Sequence, residues 1–301
     1  MNWQYKADEA RLYLDAYIQG AMQKAQDPLL GSLPVEDYAV VEFSEPPCMR
    51  LVPQNAQVGE EVTVVVPGIL CSKTLPPVYG PLRSTRPEHV RYLRQYVRCT
   101  GLGSATFSGF QSQLNDIYEK FANAPGVNTI KNFDFGLYEG EYCISMHTRH
   151  LTDRRYVSGE RHIPFPPEID PNHVLEEARD TQFIRIEDNV VQYSKRIEAP
   201  DGTFYFEPLP PAEFKEGDIV EATGAFVAYP GGEQGEYKLV FCLRALTMIC
   251  SQYREDSKKK VTVHREEEPR KRSKVPSPSK IKRRYIPYGP PTITSSENSK
   301  T

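Results

Sequence analysis

Asp218-Ile-Val-Glu-Ala-Thr-Gly-Ala-Phe-Val-Ala-Tyr229 and Tyr237-Lys-Leu-Val-Phe-Cys-Leu-Arg-Ala-Leu-Thr-Met-Ile-Cys250 are two long runs separated by a turn at Gly231-Gly232. In the first, Val220, Ala222, Phe226 and Ala228 fall on one face with Gly224 between them; in the second, Tyr237, Leu239, Phe241, Leu243 and Ala245 do. A period of two belongs to strands, because successive side chains point to opposite faces of a sheet. Three shorter runs, 183–187, 190–197 and 203–207, come before them, with turn residues at Asp188-Asn189, Asp201-Gly202 and Glu216-Gly217. Five strands joined by tight turns predict a small antiparallel barrel or strongly curled sheet, like the five-stranded OB barrel. Gly224 in mid-strand suits a bulge or a bend.

Upstream the pattern changes to a mixture of periods. Ala10, Leu14, Tyr17 and Ala21 recur at helical spacing over 8–26, with Pro28 as the stop. The β-branched and aromatic runs 38–43 and 62–66 read as strands, and the Pro-rich stretch 67–81 as a loop. Pro87 opens an expected helix to about residue 99, with Val90, Leu93 and Val97 on its buried stripe. Ser108-Gly-Phe-Gln111 fits a capping box, followed by Phe110, Leu114, Ile117 and Phe121 at the 3.6 period and by Ala124-Pro-Gly126 as the end. Phe133, Phe135 and Leu137 alternate, Glu139-Gly140 turns, and Tyr142, Ile144 and Met146 alternate again, which predicts a hairpin. A polar, Pro-rich loop over 149–167 leads to Asp170-Pro171, expected to cap a short helix to about residue 179. The fold class expected is α+β. Helices and a hairpin fill an N-terminal region 1–168, a small antiparallel β-barrel-like (OB-like) region spans 169–250, and 251–301 is a disordered basic tail.

Three segments, Glu187-Asp-Asn-Val-Val191, Phe214-Lys-Glu-Gly-Asp-Ile-Val-Glu221 and Leu243-Arg-Ala-Leu246, resemble the C-terminal part of a group of uncharacterised proteins of mushroom-forming fungi. The resemblance covers about residues 170–250. It implies a shared lineage and fold, and carries over no activity and no site residue.

Charge is unevenly distributed along the chain. Of 37 Lys/Arg and 40 Asp/Glu, 14 and 6 lie from Ser251 onward, a net of +8, while the first 250 residues hold 23 and 34, a net of −11. A basic arm on an acidic body points to a partner of its own for the arm. The clusters Arg270, Lys271, Arg272, Lys274 and Lys280, Lys282, Arg283, Arg284 suit the acidic groove of a nuclear import receptor, or phosphates. Ser277, followed by Pro278, is a candidate proline-directed phosphorylation site, where added negative charge would weaken either role. No run approaches the roughly 18 apolar residues of a membrane span. The N-terminus lacks a signal-peptide layout, so a soluble, intracellular protein without a membrane partner is expected. Six cysteines, none in a Cys-x-x-Cys pair, suit buried thiols in a reducing compartment.

Within the body, Arg91, Arg94 and Arg98 share one face if 87–99 is helical, interleaved with Tyr92 and Tyr96. Guanidinium groups among aromatic rings are what a nucleic-acid backbone and its bases favour; a solvated face paired with carboxylates is the alternative. Arg154 and Arg155, with Arg149 and Arg161 nearby, make a basic loop. His147-Thr-Arg-His150 with Asp153 has metal-ligand residue types, but no glutamate sits between the histidines, and structural histidines are favoured over a metal site. There is no P-loop, dinucleotide fingerprint or nucleophile elbow, hence no expected cofactor and no nominated catalytic residue. The expectation is a nuclear, non-enzymatic protein associated with single-stranded DNA or RNA. The alternative is a protein-interaction module with an acidic body and a nuclear-targeting tail.

Overall fold

The protein is described here from a computed structural model, over residues 1–22, 28–54, 61–133 and 135–267. Six helices are present among them: α1 Ala7–Met22, α2 Pro87–Val90, α3 Ala105–Ser108, α4 Phe110–Ala122, α5 Val174–Arg179 and α6 Gln252–Glu267. The strands are β1 Tyr38–Ser44, β2 Pro47–Pro53, β3 Thr63–Thr74, β4 Arg94–Thr100, β5 Thr129–Lys131, β6 Gly136–Tyr138, β7 Glu141–Arg149, β8 Thr152–Asp153, β9 Phe183–Ile184, β10 Gln192–Glu198, β11 Phe204–Pro208, β12 Ile219–Pro230 and β13 Glu236–Cys250. Residues Met1–Thr262 form one compact unit, and the described residues beyond it, 263–267, continue α6. No helix among the described residues is long and apolar enough to cross a membrane.

The two long runs pair with each other as β12 and β13, antiparallel from Ile219↔Cys250 to Pro230↔Tyr237. Around them the main sheet runs β11-β10-β13-β12-β3-β4-β7-β6, with β2 joined to β12 and β5 to β13. Strands from both halves of the sequence therefore lie in one sheet, with Val66 of β3 opposite Ala222 of β12. Of the two forms expected, a small antiparallel barrel or a strongly curled sheet, no closed barrel is found among the described residues. Two pairings, β10–β13 and β5–β13, are parallel, and together they occupy both ends of the outer edge of β13. Among the described residues no ladder brings β7 back to β13; a side chain links them, Thr148 Oγ1 donating to the Leu243 carbonyl at 2.6 Å. The α+β class, the helices over 8–22 and 110–122 and the hairpin are as expected, and the C-terminal strands join an open, branched sheet.

One large apolar core, with three smaller clusters beside it, underlies the unit among the described residues. Ala10, Leu14 and Ile18 of α1 and Phe110, Leu114, Ile117 and Phe121 of α4 pack into it with Val220, Ala222 and Phe226 of β12. The rings of Phe226 and Phe241 stack with centroids 4.2 Å apart. Gly224 sits at a register shift of the β12–β13 ladder, where an added Cβ would come within 2.5 Å of the Cys242 carbonyl oxygen and 2.4 Å of Met146 Cε. Backbone cannot yield as a side chain does. Gly224→Ala is therefore expected to lower stability by about 2 kcal/mol or more, read as a shift of the urea midpoint at unchanged slope; a loss under about 0.5 kcal/mol would refute this account of the bulge.

Four other expectations are corrected by packing. The Pro-rich stretch after Val66 is strand, not loop, to Thr74; Pro67 lies before Ile69, the first residue paired with β4, so at that point only β12 needs a ladder. The helix expected over 87–99 is one turn, α2, followed by β4, whose burial alternates as strands do. The cap near residue 108 lies four residues earlier: Ser104 Oγ accepts from the Phe107 N–H at 3.0 Å and starts α3. The segment from 251 begins as a helix. Arg254 is ion-paired to the buried Asp218, Tyr253 packs edge-on to Tyr13 at 5.9 Å, and Asn2 Nδ2 donates to Ser257 Oγ at 3.1 Å. Expectations that did hold include the turn at Glu139-Gly140, with φ of 52° and 86°, as a two-residue hairpin of this kind requires. Asp170 also caps α5, its Oδ2 accepting from the Leu175 and Glu176 N–H groups at 2.9 Å each, although the helix begins at Val174 and Pro171 lies before it rather than in its first turn.

The hairpin of β10 and β11 ends the sheet. β10 pairs with β13 only over Gln192–Lys195, so its farther half and β11 form a two-stranded ribbon, tied to α1 by Arg196, which donates to the Tyr17 hydroxyl at 2.9 Å. Phe204, Tyr205 and Phe206 are all about half exposed there.

Candidate functional site

Alternation along β4 buries Gln95, Val97 and Cys99 and turns Arg94, Tyr96 and Arg98 outward. On β7 the same period turns Ser145, His147 and Arg149 to that face. The register sets Arg94 opposite Arg149, Tyr96 opposite His147 and Arg98 opposite Ser145. The guanidinium groups of Arg94 and Arg98 lie 5.7 and 5.8 Å from the Tyr96 ring centroid. Arg98 Nε also donates to Ser145 Oγ at 3.2 Å and packs over Gly136 of β6, where a Cβ would meet its guanidinium carbon at 2.7 Å.

Like charges directly opposite on neighbouring strands cost stability. Arg94 and Arg149 are held in that arrangement, and among the described residues neither forms an ion pair. The Arg149 guanidinium instead lies between two rings, 5.8 Å from Tyr92 and 5.6 Å from Tyr229. It is attracted there by the π faces, an interaction worth about 0.5–1 kcal/mol per ring at exposed sites.

Those rings form the walls of a groove between the β4–β7 face and the β12–β13 turn. Its outer part, about 370 Å³, is bordered by Arg94, Arg149, Lys131 and Lys238, with Tyr237 and Tyr229. Lys131 is paired with Glu236 at 2.8 Å. The inner part, about 500 Å³, is shared between Tyr92, Tyr156 and Tyr229, apolar Val240 and Cys242, and polar Thr152, Asp153, Asp188 and Asn189. Here the acids are matched. Asp153 takes the Arg155 guanidinium at 2.7 Å and that of Arg91 at 3.5 Å. Hydrogen bonds from Arg155 hold the Asp153 carboxyl down at about 2. Burial pushes the Tyr229 phenol well above its usual range, so it stays protonated; its hydroxyl lies 3.6 Å from Cys242 Sγ.

Behind this wall lies an ionic cluster that ties distant segments together. Asp188 accepts from Arg50 of β2 and from Arg244 of β13, and Glu61 accepts from the same pair at 2.6 and 2.7 Å. Arg244 Nη1 also donates to the Asp188 carbonyl at 2.8 Å. Burial opposes ionisation of Asp188, but the hydrogen bonds and charge of Arg50, with the charge of Arg244, outweigh it and hold the carboxyl below the usual range.

Of the residues singled out from the sequence, Arg91, Tyr92 and Arg94 border the groove and Tyr96 and Arg98 continue its outer face, through a strand rather than a helix. Arg155 is committed to Asp153, and Arg154 beside it is exposed. His147 faces the groove, whereas His150 is buried against Phe165; burial, with the positive charge of Arg185, pushes it down to about 3 and keeps it neutral. Among the described residues no group of three or more His, Cys, Asp or Glu could hold a metal ion. Arg270, Lys271, Arg272, Lys274, Ser277, Lys280, Lys282, Arg283 and Arg284 lie outside the described residues. Sequence reasoning missed Tyr229, Tyr237, Lys131 and Lys238. Tyr229 and Tyr237 flank the Gly231-Gly232 turn, and that position at a hairpin end was the available signal.

No protein-family model matches the chain, and no curated protein matches it in sequence. Among solved structures it is similar to gp2.5, a single-stranded DNA binding protein encoded by bacteriophage T7, at 11% identity and a TM-score of 0.28, over 62% of this chain and 86% of that one.

Proposed function

We propose that the protein binds single-stranded DNA or RNA without catalysing a reaction, that it acts in the nucleus, and that the basic segment after α6 supplies the import address and added affinity. The observation that carries the binding reading is the Arg94–Arg149 pair. The fold sets two arginines directly opposite each other in register, without an ion-paired carboxylate among the described residues, beside the exposed ring of Tyr92 and the half-buried ring of Tyr96. A phosphate backbone relieves that repulsion, and bases find aromatic faces next to it. An acidic body with one basic, aromatic groove confines a polyanion to that groove.

A salt series on the full chain tests this. Arg94, Arg149 and Lys238 are the groove cations that form no ion pair among the described residues. Neutralising about three phosphates gives a slope of log affinity against log salt near −2 for a single strand. Affinity unchanged between about 50 and 200 mM salt would refute the reading. Cell imaging of the full chain against residues 1–262 tests the address: uniform distribution of both would remove the nuclear assignment.

A second reading has an observation of its own. The outer edge of β11 with Phe204, Tyr205 and Phe206 exposed suits a protein partner that adds a strand. It concerns the far end of the sheet and competes with the groove only if the groove binds nothing.

A further inference from the structure

The two parts of the groove differ in charge, and that difference assigns them different portions of a ligand. In the outer part, Arg94, Arg149 and Lys238 face a single carboxylate, Glu236, which Lys131 already holds. In the inner part, Asp153 is matched by Arg91 and Arg155, and Asp188 by Arg50 and Arg244. Arg149 borders both parts; a phosphate held there gains further from Arg94 and Lys238 in the outer part and meets two carboxylates in the inner one. A neutral, planar group with hydrogen-bonding edges has the opposite preference.

The inner part is built for such a group. Its volume of about 500 Å³ lies within the range of roughly 300–1,000 Å³ typical of small-ligand pockets. Tyr92, Tyr229 and Tyr156 line it, each with an arginine over one face and the other face left for a ligand to use, and Val240 and Cys242 exclude water on one side. Two donors on its lining residues are weakly engaged. The Tyr229 hydroxyl has only the thiol of Cys242 at 3.6 Å, and Arg91 Nε is buried with no hydrogen-bond partner, so a base must shift the Arg91 side chain to reach it, while Nη2 lies 3.5 Å from Asp153. A buried donor without an acceptor is costly, and the carbonyl oxygens and ring nitrogens of a base are acceptors.

We infer that the inner pocket takes one unstacked nucleobase of a strand whose phosphates lie along Arg94, Arg149 and Lys238. This rests on the single-strand reading above and adds to it a base-binding subsite, so the protein senses the base as well as the backbone. Extracting a base from its stack is cheapest in a single strand, which also selects against duplex.

The test uses the full chain and three labelled oligodeoxynucleotides of about nine residues: all thymine, all abasic, and abasic with one central 5-iodouracil. The single-base strand is expected to bind about ten-fold tighter than the abasic one, since one stacked base is worth about 1–3 kcal/mol. Irradiation should cross-link it to Tyr92, Tyr156 or Tyr229, located by peptide mass spectrometry. Equal affinity of the single-base and abasic strands would overturn the base pocket while leaving backbone binding intact. Cross-linking outside the inner pocket, for example at Phe204 or Phe206, would overturn it too. If even the all-thymine strand fails to bind, the single-strand reading falls, and the pocket with it.

Discussion

Replacing Asp188 with alanine is expected to destabilise the protein by about 3–5 kcal/mol, the cost of removing one partner from a buried ion pair. Arg50 and Arg244 are largely buried, and Asp188 and Glu61 are shared between them. Removing Asp188 leaves two guanidinium groups facing one carboxylate in a region of low dielectric. Against a total stability of about 5–15 kcal/mol, that is a substantial share. The cluster also links β2, the turn holding Asp188 and β13, so its loss weakens contacts distant in sequence. pH dependence follows with a definite sign. Because the folded Asp188 carboxyl lies below its usual range, it contributes stability that is present above the unfolded value near 3.9. That contribution is lost as pH falls through the lower folded value. Urea melts at pH 7 and pH 3 check both points. The alanine variant should lose most at pH 7 and less at pH 3, whereas a loss below about 1 kcal/mol at pH 7 would mean the cluster is effectively solvated.

The double variant R94E/R149E should bind single-stranded DNA roughly 100-fold more weakly at 50 mM salt, about 2.7 kcal/mol. Two of the three unpaired groove cations are reversed, so the salt slope should also flatten by about 1.4 or more. Stability gives the control, because both side chains are exposed and stand opposite each other. Single replacements such as Arg94→Gln remove a like-charge contact and should leave the melting temperature unchanged or slightly raised, while weakening binding. A variant that loses affinity and keeps or gains stability marks a residue held for its ligand. If R94E/R149E binds as tightly as the native chain, the groove is not where the nucleic acid sits.

Some of this was legible in the sequence and some was not, for physical reasons. Strong single periods read correctly: Phe110, Leu114, Ile117 and Phe121 line the buried side of α4, and β12 and β13 fall on the two runs with alternating residues. The segment after Pro87 misled because Val90, Leu93 and Val97 suit a helical stripe. Pairing with β3 on one side and β7 on the other imposed the strand period. The stretch after Pro67 misled because proline marks loops on average, while here it occupies a place where a ladder is missing on one side. Closure of the barrel could not be read from strand count. It depended on β5 and β10 taking the edge of β13 in parallel, and parallel partners leave no turn signal. The site was half legible. Arg91, Tyr92 and Arg94 are a local pattern, but Arg149 and Tyr229 reach them only through the register of β7 and the path of β12.

The exposed ribbon of β10 and β11 sets a practical limit on how the protein can be handled. Phe204, Tyr205 and Phe206 sit consecutively on a strand whose outer edge has no partner among the described residues. Such an edge, apolar and uncharged over three residues, can template the same strand of another molecule. Crowded samples will therefore turn viscous or cloudy before the core unfolds, and a lysine in place of Tyr205 is the change that should keep them clear.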